Sequence, residues 1–162
     1  MTTVYSTAVV SGIMPDHTKA GLVLRRNATY VTTSDGELVS GDTIQMVPIP
    51  EGAQILDVQI YCSGNAALAT GLTVGDGNSA RRFFDGPTFT GDHLYGLKSA
   101  GAVGDVAGVK VGSFLYQYAS ADTIDIFLKK TAASTYLPTS ITFKMSVEYC
   151  MAGSIEDEDF SA

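Results

Sequence analysis

The chain has 162 residues, 45% hydrophobic and 17% charged, with ten basic and seventeen acidic side chains giving a net charge of −7. That balance excludes an intrinsically disordered chain, and the length suffices for one core-bearing domain with an arm or tail. A nucleic-acid binder needs clustered Lys and Arg, which this acidic chain lacks, and two His with no Trp leave few groups for acid–base chemistry at neutral pH.

The N-terminus has no basic stretch before its apolar residues, and no run approaches the ~18 apolar residues of a membrane span. A soluble protein made in a reducing cytoplasm is therefore expected. Cys62 and Cys150 each lie in an apolar, strand-like run, VQIYCSG and SVEYCMAG, the usual setting of packed free thiols. Composition leaves a disulfide between them open.

Residues 1–25 mix Thr, Ser, Ala and Val without a sustained period, and Gly12, Pro15 and Gly21 break any longer element. Such a segment makes either an extended arm lying against something else or a loosely ordered terminus. From Asp42 the pattern is that of strands. Asp42–Ile49 reads as one, with Ile44/Met46 and Val47/Ile49 as its apolar pairs and Pro48 marking an edge or an end. Pro50-Glu51-Gly52 is a turn. Leu56, Val58, Ile60 and Cys62 then alternate with Asp57, Gln59 and Tyr61, a period of two. Ala67–Val74 returns as a further strand.

Asp76-Gly77-Asn78 reads as a tight hairpin turn, since Asp-Gly and Gly-Asn favour positive φ. A calcium loop would need a bidentate Glu where Pro87 stands, and a phosphate-cradling loop would need a helix where Arg81-Arg82 follows. Residues 86–112 hold seven of the seventeen glycines and are expected to form a long loop, with any helix confined to a short turn within 90–112. Strands resume at Phe114–Tyr118 and Thr123–Lys130, where Ile124, Ile126 and Leu128 share a face. The last strand is the most regular: Ile141, Phe143, Met145, Val147 and Tyr149 face one way and Thr142, Lys144, Ser146 and Glu148 the other. An acidic tail closes the chain over 153–162.

No dozen-residue window carries a helical period with caps. The fold class expected is all-β, an antiparallel β-sandwich of jelly-roll type over 26–152, with residues 1–25 as an N-terminal arm. His17 and His93 stand in no nucleophile, metal or hydrolase motif, so no catalytic residue, metal ligand or cofactor site is assigned, and no small-molecule substrate is expected. Arg81-Arg82-Phe83-Phe84 pairs basic with aromatic groups; one Phe is expected in the core, with the arginines paired to Asp residues or a partner.

Gly41-Asp42-Thr43-Ile44, Ile49-Pro50-Glu51-Gly52-Ala53, Ile55-Leu56-Asp57, Leu72–Gly77 and Arg82-Phe83 together resemble small structural proteins of tailed-bacteriophage virions, the head decoration or cement proteins. The resemblance covers roughly residues 40–85. It implies a jelly-roll or tulip-like sandwich, a homotrimer on the capsid exterior, and an arm reaching over neighbouring major capsid protein subunits. It also implies no nucleic-acid or membrane partner and synthesis in the host bacterial cytoplasm. On that reading Tyr5, Val9, Val10, Ile13 and Met14 are the apolar anchors of the arm, and Leu94, Tyr95 and Leu97 are candidates for a subunit or capsid contact. The competing class is a receptor- or carbohydrate-binding β-sandwich module of a tail spike or fibre, for which eight Tyr could supply stacking faces.

Overall fold

The computed structural model describes residues 3–6, 22–32, 38, 41–63, 72–85, 93–97, 110–111, 115–128 and 141–151. The described residues form ten strands: β1 (Thr3–Tyr5), β2 (Val23–Val31), β3 (Thr43–Ile49), β4 (Ala53–Ser63), β5 (Leu72–Asp76), β6 (Ser79–Asp85), β7 (His93–Gly96), β8 (Lys110–Val111), β9 (Asp122–Leu128) and β10 (Thr142–Met151). They make a six-stranded sheet in the order β1-β3-β9-β5-β6-β8 and a four-stranded sheet in the order β2-β10-β4-β7. The protein is an all-β sandwich.

The pairing is nested. β2 pairs with β10, β3 with β9, β4 with β7 and β5 with β6, all antiparallel, as though one long hairpin had been rolled up. This nesting matches the strand order of a jelly roll. Consecutive strands β2 and β3, or β4 and β5, fall in opposite sheets, so each connection crosses the sandwich and the core forms only when both halves of the chain are present.

Alternation supplies that core. In the six-stranded sheet Ile44, Ile126, Val74 and Phe84 lie in one cross-strand row, and in the four-stranded sheet Ala28, Met145, Ile60 and Tyr95 do. All eight are buried. Each large apolar side chain so buried contributes on the order of 1.5–3 kcal/mol. The inward face expected for β10, Phe143 to Tyr149, is buried throughout, and so is that of β9.

Two bulges correct the parity read from sequence. β3 shifts register against β9 between Gln45 and Val47, so Ile44, Met46, Val47 and Ile49 are all buried although they alternate in two phases. β4 shifts against β10 beside Leu56: Tyr149 opposes Ile55 while Glu148 opposes Asp57. Ile55 takes the inward position there, Leu56 is half-buried, and the expected alternation holds only from Val58 onward.

Other expectations shift as well. Within 86–112 the described residues form the strands β7 and β8 with Leu97 in a bend after β7, and none of them is helical. Residues 115–118 are no strand: they carry one isolated bridge, Gln54 to Gln117, and Leu115 has φ 60°. The Gly77-Asn78 turn is not built on positive φ, which among the described residues occurs only at Leu115, Gly41 and Gly52. Arg25 and Arg26 sit inside β2, and residues 3–5 form a parallel edge strand on β3. Ala67 lies outside the described residues. Cys62 and Cys150 are both free thiols, and their partners in register, Phe143 and Gln54, put them near opposite ends of β4 and β10.

Candidate functional site

The densest polar constellation gathers around Asp76, at the end of β5. Its carboxylate, 1% exposed, accepts four hydrogen bonds. Oδ1 takes the backbone N–H groups of Asn78 at 3.1 Å and Ser79 at 2.8 Å, which is what closes the β5–β6 turn. Oδ2 takes Arg82 Nε, as an ion pair, and the Tyr118 hydroxyl at 3.0 Å.

Above this, the Arg82 guanidinium lies 3.8 Å from the centroid of the Tyr116 ring, and Tyr116 meets Tyr118 edge-to-face at 5.0 Å. Residues 115–118 are bonded through their backbone to the start of β4: Ile55 N–H donates to Tyr116 O at 2.9 Å and Tyr118 N–H to Ala53 O at 2.9 Å. The segment therefore has its backbone on one sheet and its side chains on the hairpin of the other. It is a clasp across the sandwich.

The clasp is not reactive. Burial, and then the charge and hydrogen bond of Asp76, hold the Tyr118 phenol far above the ordinary tyrosine range. Burial works against the charged Arg82, but the hydrogen bond and charge of Asp76 outweigh it and the guanidinium is held above its usual value. A carboxylate with four donors has no lone pair directed at a substrate, so the group locks rather than catalyses.

A second buried carboxyl stands nearby on β9. Asp125 lies opposite Gln45 of β3 and Gly75 of β5, is 2% exposed, and its Oδ1 has no hydrogen-bond partner. Burial pushes it up to about 7, with the charges of Asp122 and Asp76 adding to the shift and a hydrogen bond to Thr123 opposing it. Among the described residues no group of three His, Cys, Asp or Glu is arranged to hold a metal ion, and no helix is long and apolar enough to cross a membrane.

The outer face of the four-stranded sheet carries a shallow hollow of about 190 Å³, floored by β2, β10 and β4 and rimmed by Leu94 of β7. Lys144 Nζ stands 6.0 Å above the Tyr61 ring. Beside it Arg25 donates to Ser146 Oγ at 2.7 Å and to Gln59 Oε1 at 3.4 Å, and Gln59 donates to Asp57 at 2.9 Å. These partners cross three strands and fix the side chains of a polar face.

The sequence-derived contact residues divide. Tyr5 is exposed on β1, beside Val4, which packs against the core. Val9, Val10, Ile13 and Met14 lie outside the described residues, as do His17 and the tail over 153–162. Leu94 faces out at the rim of the hollow, whereas Tyr95 and Leu97 are buried in the core. His93 is on β7, opposite Cys62. Arg82 and Arg81 pair with Asp76 and Asp85, and both Phe83 and Phe84 are fully buried. The turn half of the clasp has a signal in Asp76-Gly77-Asn78. Its other half, Tyr118, is 42 residues away and has none.

No family model matches the chain, and no curated protein does. Two chains from phage capsids share its fold. A chain of the cyanophage Pam1 capsid asymmetric unit superposes with a TM-score of 0.55 at 20% identity, over 86% of this chain and 91% of that one. A chain from the capsid of Ralstonia phage GP4 gives 0.57 at 18% identity, over 94% of this chain and 100% of that one.

Proposed function

We propose that the protein is a non-enzymatic virion structural protein that binds and stabilises the outer surface of a phage capsid, as a decoration or cement protein. The observation that carries this reading is the end-to-end fold likeness to the GP4 capsid chain, which this chain covers completely.

The chemistry of the described residues agrees with it. The polar side chains of the clasp, Asp76, Arg82 and Tyr118, are spent on one another, and a protein that clamps a shell needs rigidity and contact area more than a reactive site. The partner is the major capsid protein. The stretch ahead of β2 supplies an arm that starts from the edge strand β1, with Tyr5, Val9, Val10, Ile13 and Met14 as its anchors, and Leu94 supplies an exposed apolar contact on the body. Assembly as a homotrimer multiplies such weak contacts through effective concentration.

Co-sedimentation with shells of the parent virus that lack this protein tests the reading. The full chain is expected to pellet with the shells and to saturate, and a chain lacking residues 1–20 is expected to stay in solution while still folded. Retention of the truncated chain on shells would remove the arm from the account. Failure of the full chain to pellet would remove the function.

A further inference from the structure

Two cations of β6 are neutralised, Arg81 by Asp85 and Arg82 by Asp76. Two others, Arg25 of β2 and Lys144 of β10, are exposed on the outer face of the four-stranded sheet and have no ion-pair partner among the described residues. Glu148 stands opposite Arg25 in register, but the guanidinium turns to neutral groups, Ser146 and Gln59. The Lys144 ammonium stands over the Tyr61 ring. In a chain of net charge −7, a face with two such cations is where an acidic segment gains most.

The hollow beside them is apolar at its floor and edge. Ala28 and Met145 are buried beneath it, Leu94 is 46% exposed at its rim, and Lys144 is the charged side chain that lines it. The chain itself carries the complementary segment. Met151 ends β10 seven residues after Lys144, about 23 Å along a strand. Eleven further residues follow in the sequence, with four consecutive acids at 156–159 and then Phe160. Eleven extended residues span up to about 36 Å, so this segment can turn back and reach Lys144.

We propose that the hollow is the docking site of the chain's own acidic tail, in which the acids at 156–159 lie along Arg25 and Lys144 and Phe160 fills the hollow against Leu94. The reversal uses Gly153, two residues past the strand, where glycine admits the backbone angles of a tight turn. Counting back from that turn at equal rise brings Asp159 over Ser146, which Arg25 holds, and Phe160 over Met145 at the floor. Exposed ion pairs are individually weak, and the tether compensates by holding the tail near the face at an effective concentration on the order of millimolar. The proposal rests on this face and the tail and not on the capsid reading. A partner that uses Leu94 competes with the tail for the same surface.

Paramagnetic broadening tests this on the full chain. A nitroxide is attached at Ser161→Cys in a Cys150→Ser background, with Cys62 buried, and the amide signals of the isotopically labelled protein are compared before and after reduction of the nitroxide. The docked tail is expected to abolish the signals of Tyr61, Leu94 and Lys144, while Thr73 on the other sheet keeps its intensity. Arg25→Gln combined with Lys144→Gln is expected to restore them, as is salt at roughly 1 M, which cuts the screening length to about 3 Å. Nitroxide-bearing chain without the isotope, mixed with isotopically labelled chain without the nitroxide, is expected to broaden nothing, because the contact lies within one molecule. Broadening centred on Val23 and Gln54, the neighbours of Cys150 at the tether, is the pattern of an undocked tail and would overturn the proposal. So would a loss at Tyr61 and Lys144 that the double variant leaves unchanged, or one seen only in the mixture. None of these outcomes depends on whether the protein binds shells.

Discussion

At the scale of single residues, two buried carboxylates on neighbouring strands behave in opposite ways because of their partners. Asp76 has four donors and one counter-charge. Removing it leaves Arg82 largely buried without its ion-pair partner, so Asp76→Ala is expected to destabilise the fold by about 3–5 kcal/mol. Tyr118→Phe deletes one donor and should cost only about 1–2 kcal/mol. Chemical denaturation of the two variants checks the difference, and equal small losses would mean that the clasp contributes little. Asp125 has burial and two like charges instead. Its folded-state value of about 7 lies above the 3.8 of an exposed Asp, so the folded chain holds a proton that the unfolded chain has released. The stability this confers is complete below about pH 4 and lost as pH rises to about 7. Asp125→Asn should remove that slope and raise stability at pH 8, by up to about 4 kcal/mol. Thermal unfolding at pH 5 and pH 8 reads it, and a variant that melts lower at pH 8 would contradict the burial argument.

At the scale of elements, what could be read in advance was whatever rests on local alternation. β10 and β9 show one apolar face each, and their inward residues were legible one by one. The four-residue β7 was not, because His93-Leu94-Tyr95-Gly96 is too short to display a period and sits among glycines. Nor were the bulges. A bulge inserts one residue against a partner strand, so Ile44/Met46 and Val47/Ile49 looked like two phases of one pattern until their pairing with β9 explained both. Residues 115–118 have the aromatic composition of a strand but serve as a cross-sheet clasp, their backbone bonded to Gly52 and the start of β4. Of the candidate contact residues, spacing could not separate Leu94 from Tyr95, and the register with β4 does. The hairpin at Asp76 contains a second requirement that sequence alone understates. A Cβ at Gly75 would lie 1.9 Å from Ser79 O and 2.5 Å from the Ala80 carbonyl carbon. Gly75→Ala is thus expected to cost at least about 3 kcal/mol, since backbone on both strands must move. A wild-type melting temperature in that variant would show that the hairpin can relax.

At the scale of the whole molecule, the sandwich is asymmetric. On the outward side of the six-stranded sheet Thr43, Thr73 and Asp125 are buried while Gln45, Phe127 and Asp85 are half-buried, whereas the four-stranded sheet presents Arg25, Asn27 and Lys144 to solvent around the hollow. The nested topology joins β2, near the start of the chain, to β10, near its end, inside the four-stranded sheet. The central claim is that the protein sits on the outside of a phage capsid. The most direct measurement is a cryo-electron-microscopy difference map between shells with and without bound protein. The account predicts added density on the outer surface, at symmetry-related positions, that fits the ten-stranded sandwich. Density confined to the shell interior or the tail, or no added density at saturating protein, would contradict it.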